Sequence, residues 1–394
     1  MKKIVVVLLL VFCSYAALAA TPSKSAPKKA KIETLMYLVN RADSIQSFRE
    51  HAKQVSIIAP QCFSMDAEGF VGGEVPPEVL EIARTNGVAL MPLVTNKGFN
   101  QPLMHTMLDN ADSRARAIKY LIYLSLRDGY IGIQFDYENI LYTYRDKFTV
   151  FVREAAKEFH KHGLKLSLAV VGKYSDDRNS ESPGGYDNWS GVYDYTDLGK
   201  VADFLSIMAY PQHAGFSDPG PLAGVPWVKQ VAEFSLSKVP ARKLSLGVPT
   251  YGIRWTAVSA DQNVKPADFV QDNAGAQKKK WTVKSMWFTG LKDVVAQSTP
   301  IWDETEQANR YELTTADGAN SVIWYEDARS LQPKLTLAVE SGMPGISAWV
   351  IGMEDPDFWT MLDREFRVTH PKSPAVKGTQ EERAKRAARL LEGK

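Results

Sequence analysis

Two acids set two residues apart, Asp136 and Glu138, lie near the end of the stretch Tyr130-Ile-Gly-Ile-Gln-Phe-Asp-Tyr-Glu-Asn-Ile140. The stretch begins as a short apolar strand, β-branched at Ile131 and Ile133. The period of two in a strand turns Gln134, Asp136 and Glu138 to one face. Like charges held that close cost stability unless one carboxyl keeps its proton, which is how a general acid is made at neutral pH. A second strand-like run, Val201 to Tyr210, ends in Met208 and Tyr210, again two apart and on one face. Other chemistries find no footing. The chain has no H-E-x-x-H, clustered Cys/His set, phosphate loop or G-x-S-x-G, and His160 and His162 fall on different faces of a helix end. No metal and no cofactor is expected.

The elements that must hold these residues alternate as short apolar runs and amphipathic segments, the pattern of βα units feeding a parallel sheet. Eight runs read as strands: Leu35 to Val39, Val55 to Pro60, Val88 to Val94, the acid-bearing run, Leu166 to Val171, Val201 to Tyr210, Leu244 to Trp255 and Gly345 to Trp349. Helices are expected over Asp43 to Ala52, over Pro77 to Asn86 with Gly87 as its stop, over Ser113 to Asp128, and from Asp146 as a cap to Gly163. Between the seventh and eighth strands lie about ninety residues, more than a βα loop needs. There Arg310 to Thr314 and Ser321 to Tyr325 read as strands around Asp317-Gly318, a hairpin signal, and Asp327 or Glu326 opens the last helix.

A chain of 394 residues, 45% hydrophobic and 10% aromatic, can bury one large core as a single decorated domain. Its formal charge of +2 is unevenly spread. The leader, residues 21–32 and residues 371–394 are all basic, which leaves about −8 on residues 33–370. An acidic body gives no nucleic-acid groove; the basic ends read as solvated segments, with contact to an anionic cell envelope as the alternative. Residues 1–19 have the form of a secretory signal peptide: Lys2-Lys3, an apolar run from Ile4 to Cys13, and Ala17-Leu18-Ala19. An exported protein, periplasmic or secreted, is expected, with no transmembrane segment once the leader is gone. Residues 20–32 read as a basic Pro/Ser/Lys linker and residues 371–394 as a charged tail, with a marginal, fraying helix from Glu381 to Leu391. Leader removal leaves Cys62 alone, so packing must hold the fold, and the thiol reads as buried filler.

Gly132-Ile-Gln-Phe-Asp-Tyr-Glu138 resembles the D-G-x-D-x-D-x-E signature of glycoside hydrolase family 18, the chitinase-like (β/α)8 barrels. Ile131 stands where the leading Asp would be, and Gln134 replaces the first Asp of D-x-D-x-E. Downstream, Tyr193-Asp-Tyr-Thr-Asp-Leu198 resembles D-Y-x-x-L, and Met208-Ala-Tyr210 resembles M-x-Y, with Pro211 where many members carry Asp and Gln212 and His213 next. Leu246-Gly-Val-Pro-Thr-Tyr-Gly-Ile-Arg-Trp255 is similar to L-G-x-P-x-Y-G-x-x-W, and Gly345 to Trp349 to G-x-x-x-W. Trp324 to Ser330 is similar to the wall-directed branch that includes spore-cortex hydrolases.

The resemblance implies a (β/α)8 TIM barrel over residues 33–370, with a small α+β insertion over 256–330 forming one wall of a cleft. It implies an exported retaining hydrolase of β-linked N-acetylhexosamine polymers, chitin or the glycan of peptidoglycan. Two carboxylates on one strand are too close to flank a sugar, and the family is an exception to the two-carboxylate rule: the substrate's own 2-acetamido oxygen attacks, through an oxazolinium intermediate. Glu138 is then the acid and base, Asp136 the partner of the acetamide N–H, and Tyr210 that of the acetamide oxygen. Trp349 would floor the sugar, and Gln134, Met208, Gln212, Tyr37 and Tyr251 are further candidates to line the substrate. The alternative is a lectin-like barrel that binds such glycans without cutting them.

Overall fold

The computed structural model describes residues 29–180, 184–258, 281–296, 298–316, 318–371 and 379–392. The leader and most of the linker, and the turn residue Asp317, lie outside the described residues. Seven barrel strands come first: β1 (Ala30–Leu38), β2 (Ile57–Met65), β3 (Leu93–Asn96), β4 (Gly132–Asp136), β5 (Lys165–Val171), β6 (Phe204–Met208) and β7 (Leu244–Pro249). Each pairs in parallel with the next. The chain then leaves for a five-stranded antiparallel sheet of β8 (Gly252–Ala257), β9 (Trp281–Met286), β10 (Ile301–Asp303), β11 (Ala308–Thr314) and β12 (Asn320–Tyr325), in the order β9-β8-β12-β11-β10. It returns as β13 (Gly345–Trp349), parallel to both β7 and β1, which closes an eight-stranded (β/α)8 barrel.

The helices follow the local code. Helix α1 spans Ala42–His51 and α2 Pro77–Asn86, the latter opening on Pro77 and stopping at Gly87 with φ 67°. Then come α3 (Gln101–Asp109) and α4 (Ala111–Asp128); the Asn110 side chain caps α4 by accepting from the N–H groups of Asp112 and Ser113. Next are α5 (Arg145–Lys161), α6 (Tyr195–Val201), α7 (Val225–Lys238) and α8 (Phe288–Val295). Helix α9 (Ala328–Glu340) starts on a capping box between Asp327 and Ser330, and α10 (Asp357–Glu365) precedes a short strand, Phe366–Val368, that pairs with the start of β1. The apolar faces of these helices and the outward faces of the strands make the main core, with Phe48, Phe135, Phe151 and Phe159 fully buried.

Several boundaries differ from the sequence reading for physical reasons. Strand β1 starts at Ala30, inside the expected linker, because Ala30 to Ile32 pair with Phe366 to Val368. The third run breaks at Met91-Pro92 into Ala89–Leu90 and β3. Asp146 lies in the first turn of α5 and does not cap it; the capping position is Tyr144. The run Val201 to Tyr210 begins as the end of α6 and is a strand only from Phe204 to Met208. Leu244 to Trp255 is two strands in two sheets, parted at Thr250, whose N–H donates to the Trp349 carbonyl. The tail helix is docked: α11 (Gln380–Leu391) starts on a capping box between Thr379 and Glu382 and packs along α4, with Ala387 fully buried.

Candidate active site

Strand β4 ends at Asp136, and Glu138 lies just past it, where Asn139 turns the chain with φ 56°. The alternation nevertheless carries through. The carboxyls of Asp136 and Glu138 act on each other, and burial pushes both well above the usual carboxylate range, to about 7 for Asp136 and about 8 for Glu138. For Asp136, burial outweighs the lowering by its Gln61 and Glu138 hydrogen bonds. For Glu138, burial is joined by the Asp136 charge. The pair therefore shares a proton at neutral pH.

Tyr210 follows the end of β6, and its pKa is raised by burial and then by the charges of Tyr37, Tyr251, Asp136 and Glu138. Tyr37, on β1, is buried in turn and feels Asp136 and Glu138. Its ring lies 5.6 Å from that of Trp349, at the end of β13. Trp349 is half-buried and packs with Tyr37, Tyr251 and Trp255 in the second apolar cluster. The structure thus brings Asp136, Glu138, Tyr210, Tyr37, Trp349 and Tyr251 to the C-terminal mouth of the barrel, the end where such barrels do their chemistry.

Three candidates sit differently. Gln134 is fully buried under the pair; both its amide N–H bonds go to serines, Ser167 at 3.0 Å and Ser206 at 3.0 Å, leaving at most its Oε1 for anything above. Ser206 continues to Ser347 at 2.8 Å and Ser347 to Ser245 at 2.7 Å, so a chain of hydroxyls floors the site where barrels usually stack branched apolar residues. Gln212 turns its side-chain oxygen to the Gly224 N–H at 2.8 Å and so pins the loop after β6. Met208 is half-buried at the end of β6, opposite Val171.

Residues that sequence reasoning passed over complete the setting. Gln61, at a register shift in β2, reaches Asp136. Asn96, at the end of β3, is fully buried and bonds both backbone groups of Glu138. Tyr193 donates to the Tyr137 carbonyl at 2.7 Å, and its own pKa is raised by burial and by both acids. For Asn96 the available signal was a polar residue at the C-terminal end of an otherwise apolar strand. Cys62 is half-buried with its pKa raised by burial, an inert thiol. Among the described residues no group of three or more His, Cys, Asp or Glu could hold a metal ion, and no helix is long and apolar enough to cross a membrane.

An eight-stranded parallel barrel with a proton-sharing carboxyl pair at its mouth, a neighbouring tyrosine and a tryptophan at the rim defines a glycosidase of the barrel class. The family model "Glycosyl hydrolases family 18" matches residues 35–354, and the chain belongs to that family. It is 27% identical over 362 residues to the cortical fragment-lytic enzyme of Bacillus subtilis (strain 168), covering 87% of this chain and 76% of the relative. It is 25% identical over 341 residues to the uncharacterized glycosylase YvbX of the same organism, covering 85% and 91%. Its fold matches the spore cortex-lytic enzyme SleL of Bacillus megaterium QM B1551 with a TM-score of 0.74 at 21% identity, over 88% of this chain and 76% of that one. It also matches a chitinase from Chromobacterium violaceum ATCC 12472 with a TM-score of 0.72 at 23% identity, over 85% and 98%.

Proposed function

We propose that this hydrolase cleaves β-linked N-acetylhexosamine polymers with retention, using the substrate's acetamide as nucleophile. The observation that carries the reading is the Asp136–Glu138 pair, both carboxyls raised by burial, with Tyr210 close enough to feel the charge of both. Glu138 gives its proton to the leaving oxygen and later takes one from water. Asp136 accepts the acetamide N–H and turns the acetamide oxygen towards the anomeric carbon, while Tyr210 donates to that oxygen. No second carboxylate is needed across the sugar, which agrees with both acids lying on one side. Trp349 and Tyr37 supply an apolar floor for the sugar face, worth about 1–3 kcal/mol of burial. Tyr251, Met208, Gln212 and the Oε1 of Gln134 are the polar and apolar groups left to orient it.

The substrate class is chitin-type glycan or the glycan of peptidoglycan. It is supported by the names of the relatives, a cortical fragment-lytic enzyme among them. Export to the periplasm or medium belongs to the same proposal and rests on residues 1–19. So does contact of the basic ends with an anionic envelope, for which α11 offers Lys385, Arg386 and Arg389. The test is incubation of the leaderless protein with N-acetylglucosamine oligomers and with purified sacculi, beside Glu138→Gln. New reducing ends from the wild type, and a loss of about 10²–10⁴-fold in the variant, are the expected result. Binding without new reducing ends would replace the hydrolytic reading with a lectin-like one.

A further inference from the structure

Glu138 has lost the support of the sheet. The β3–β4 ladder ends at the pair Thr95–Asp136, so the backbone of Glu138 stands beyond the last strand pairing. One side chain takes over. The Oδ1 of Asn96 accepts the Glu138 N–H at 3.1 Å, and its Nδ2 donates to the Glu138 carbonyl at 3.0 Å. A backbone N–H can only donate and a carbonyl only accept, so the amide has one orientation that satisfies both. Asn96 thus does for one residue what a paired strand does for many. From the other side, the Tyr193 hydroxyl donates to the Tyr137 carbonyl, the oxygen of the same peptide group whose N–H Asn96 receives. Tyr193 is itself fixed, its ring edge-on to Phe148 at 5.9 Å and its carbonyl taking a bond from the buried Lys173 at 2.8 Å. Past Glu138, the Asn139 side chain donates to the Phe99 carbonyl at 3.0 Å, so the turn that follows is tied to the same β3 loop.

We propose that Asn96, backed by Tyr193, is the positioning residue that holds the Glu138 carboxyl at the leaving oxygen. This rests on the reading of Glu138 as the acid. Proton transfer demands that the acid lie within hydrogen-bond reach of the leaving oxygen, and a displacement of about 1 Å costs on the order of 10²-fold in rate. Asn96 touches no reacting atom, so its loss lowers the rate of the bound complex and leaves binding of the sugar in place.

The test uses the leaderless chain on N-acetylglucosamine oligomers, with unfolding temperatures measured for every variant. Asn96→Ala is expected to lower kcat by about 10–100-fold with KM changed less than about twofold. Asn96→Asp adds a readout that a merely structural residue would not move. A protonated Asp presents one acceptor and one donor, as Asn does, whereas the ionised form loses the donor and sets a charge beside Glu138. Its kcat relative to wild type should therefore approach unity at acidic pH and fall towards the Asn96→Ala ratio as pH rises. Tyr193→Phe, which removes only the hydroxyl, is expected to lower kcat by about 3–10-fold and serves if Asn96→Ala does not fold. A kcat within twofold of wild type in the variant that folds, or an Asn96→Asp ratio flat across pH, would overturn the positioning role. Glu138→Gln separates the two layers. If it stays active, the acid assignment itself fails; if it is inactive while Asn96→Ala runs at the wild-type rate, only the positioning claim fails.

Discussion

At Glu138, burial and the charge of Asp136 act in the same direction, and the proton is held to about pH 8. A general acid works only while protonated and Asp136 accepts the acetamide N–H best while ionised, so kcat/KM should be highest between about 7 and about 8 and fall as pH rises through about 8. A pH–rate profile on a soluble N-acetylglucosamine oligomer checks this; a fall centred near pH 4–5, the ordinary range for a glutamate, would oppose it. The same shift has a stability consequence. A carboxyl whose folded pKa is raised favours folding at low pH and works against it as pH rises from the unfolded to the folded value. Glu138→Gln removes that opposition. The inactive variant should melt above the wild type at pH 8–9, and by less at pH 4, in a thermal scan. The acids and Tyr210 were legible in the sequence because a strand's period of two is strict. Gln61 and Asn96 were not, because each reaches its partner through strand neighbours that only the closed barrel supplies.

At the scale of elements, a strand end and a strand exit shape the mouth. Gly247 of β7 lies so close to β6 that an added Cβ would meet the Ile207 carbonyl at 2.2 Å and the Tyr210 ring at 3.0 Å. Gly247→Ala should therefore displace Tyr210 and lower kcat/KM by about 10-fold or more, checked by steady-state kinetics beside a thermal scan. Where β12 hands over to α9, Glu326 is fully buried with Lys334, their charged groups 2.6 Å apart, and its N–H donates to the Tyr251 carbonyl. Removing one partner of a buried pair strands the other charge. Lys334→Met is expected to cost about 3–5 kcal/mol in denaturant unfolding, and Glu326→Leu combined with Lys334→Met clearly less. That pair was invisible in the sequence, where Glu326 reads as a possible cap of the last helix and Lys334, eight residues on, carries no signal of burial. Leu244 to Trp255 was read as one strand because its apolar pattern is continuous; nothing in it marks that Thr250 would bond across to β13.

Taken whole, the molecule is a barrel with two additions, the antiparallel sheet inserted between β7 and β13 and the helix α11. Order and number of the barrel strands could be read from the alternation of apolar runs and helical periods, since each βα unit leaves its own local signature. The docking of α11 could not, because charged residues dominate it and, among its described side chains, only Ala387 is fully buried against the core. Truncation after His370 should lower the unfolding temperature by about 1–2 °C per kcal/mol lost. Turnover should be unchanged, since α11 lies on α4, outside the mouth. The account as a whole stands on the acetamide acting as nucleophile between Asp136 and Tyr210. Its most direct test is the inhibition constant of an N-acetylglucosamine-derived thiazoline, which mimics the oxazolinium, measured against the wild type. The account predicts binding at least about 100-fold tighter than the matching oligosaccharide; a thiazoline that binds no better than the sugar itself would contradict it.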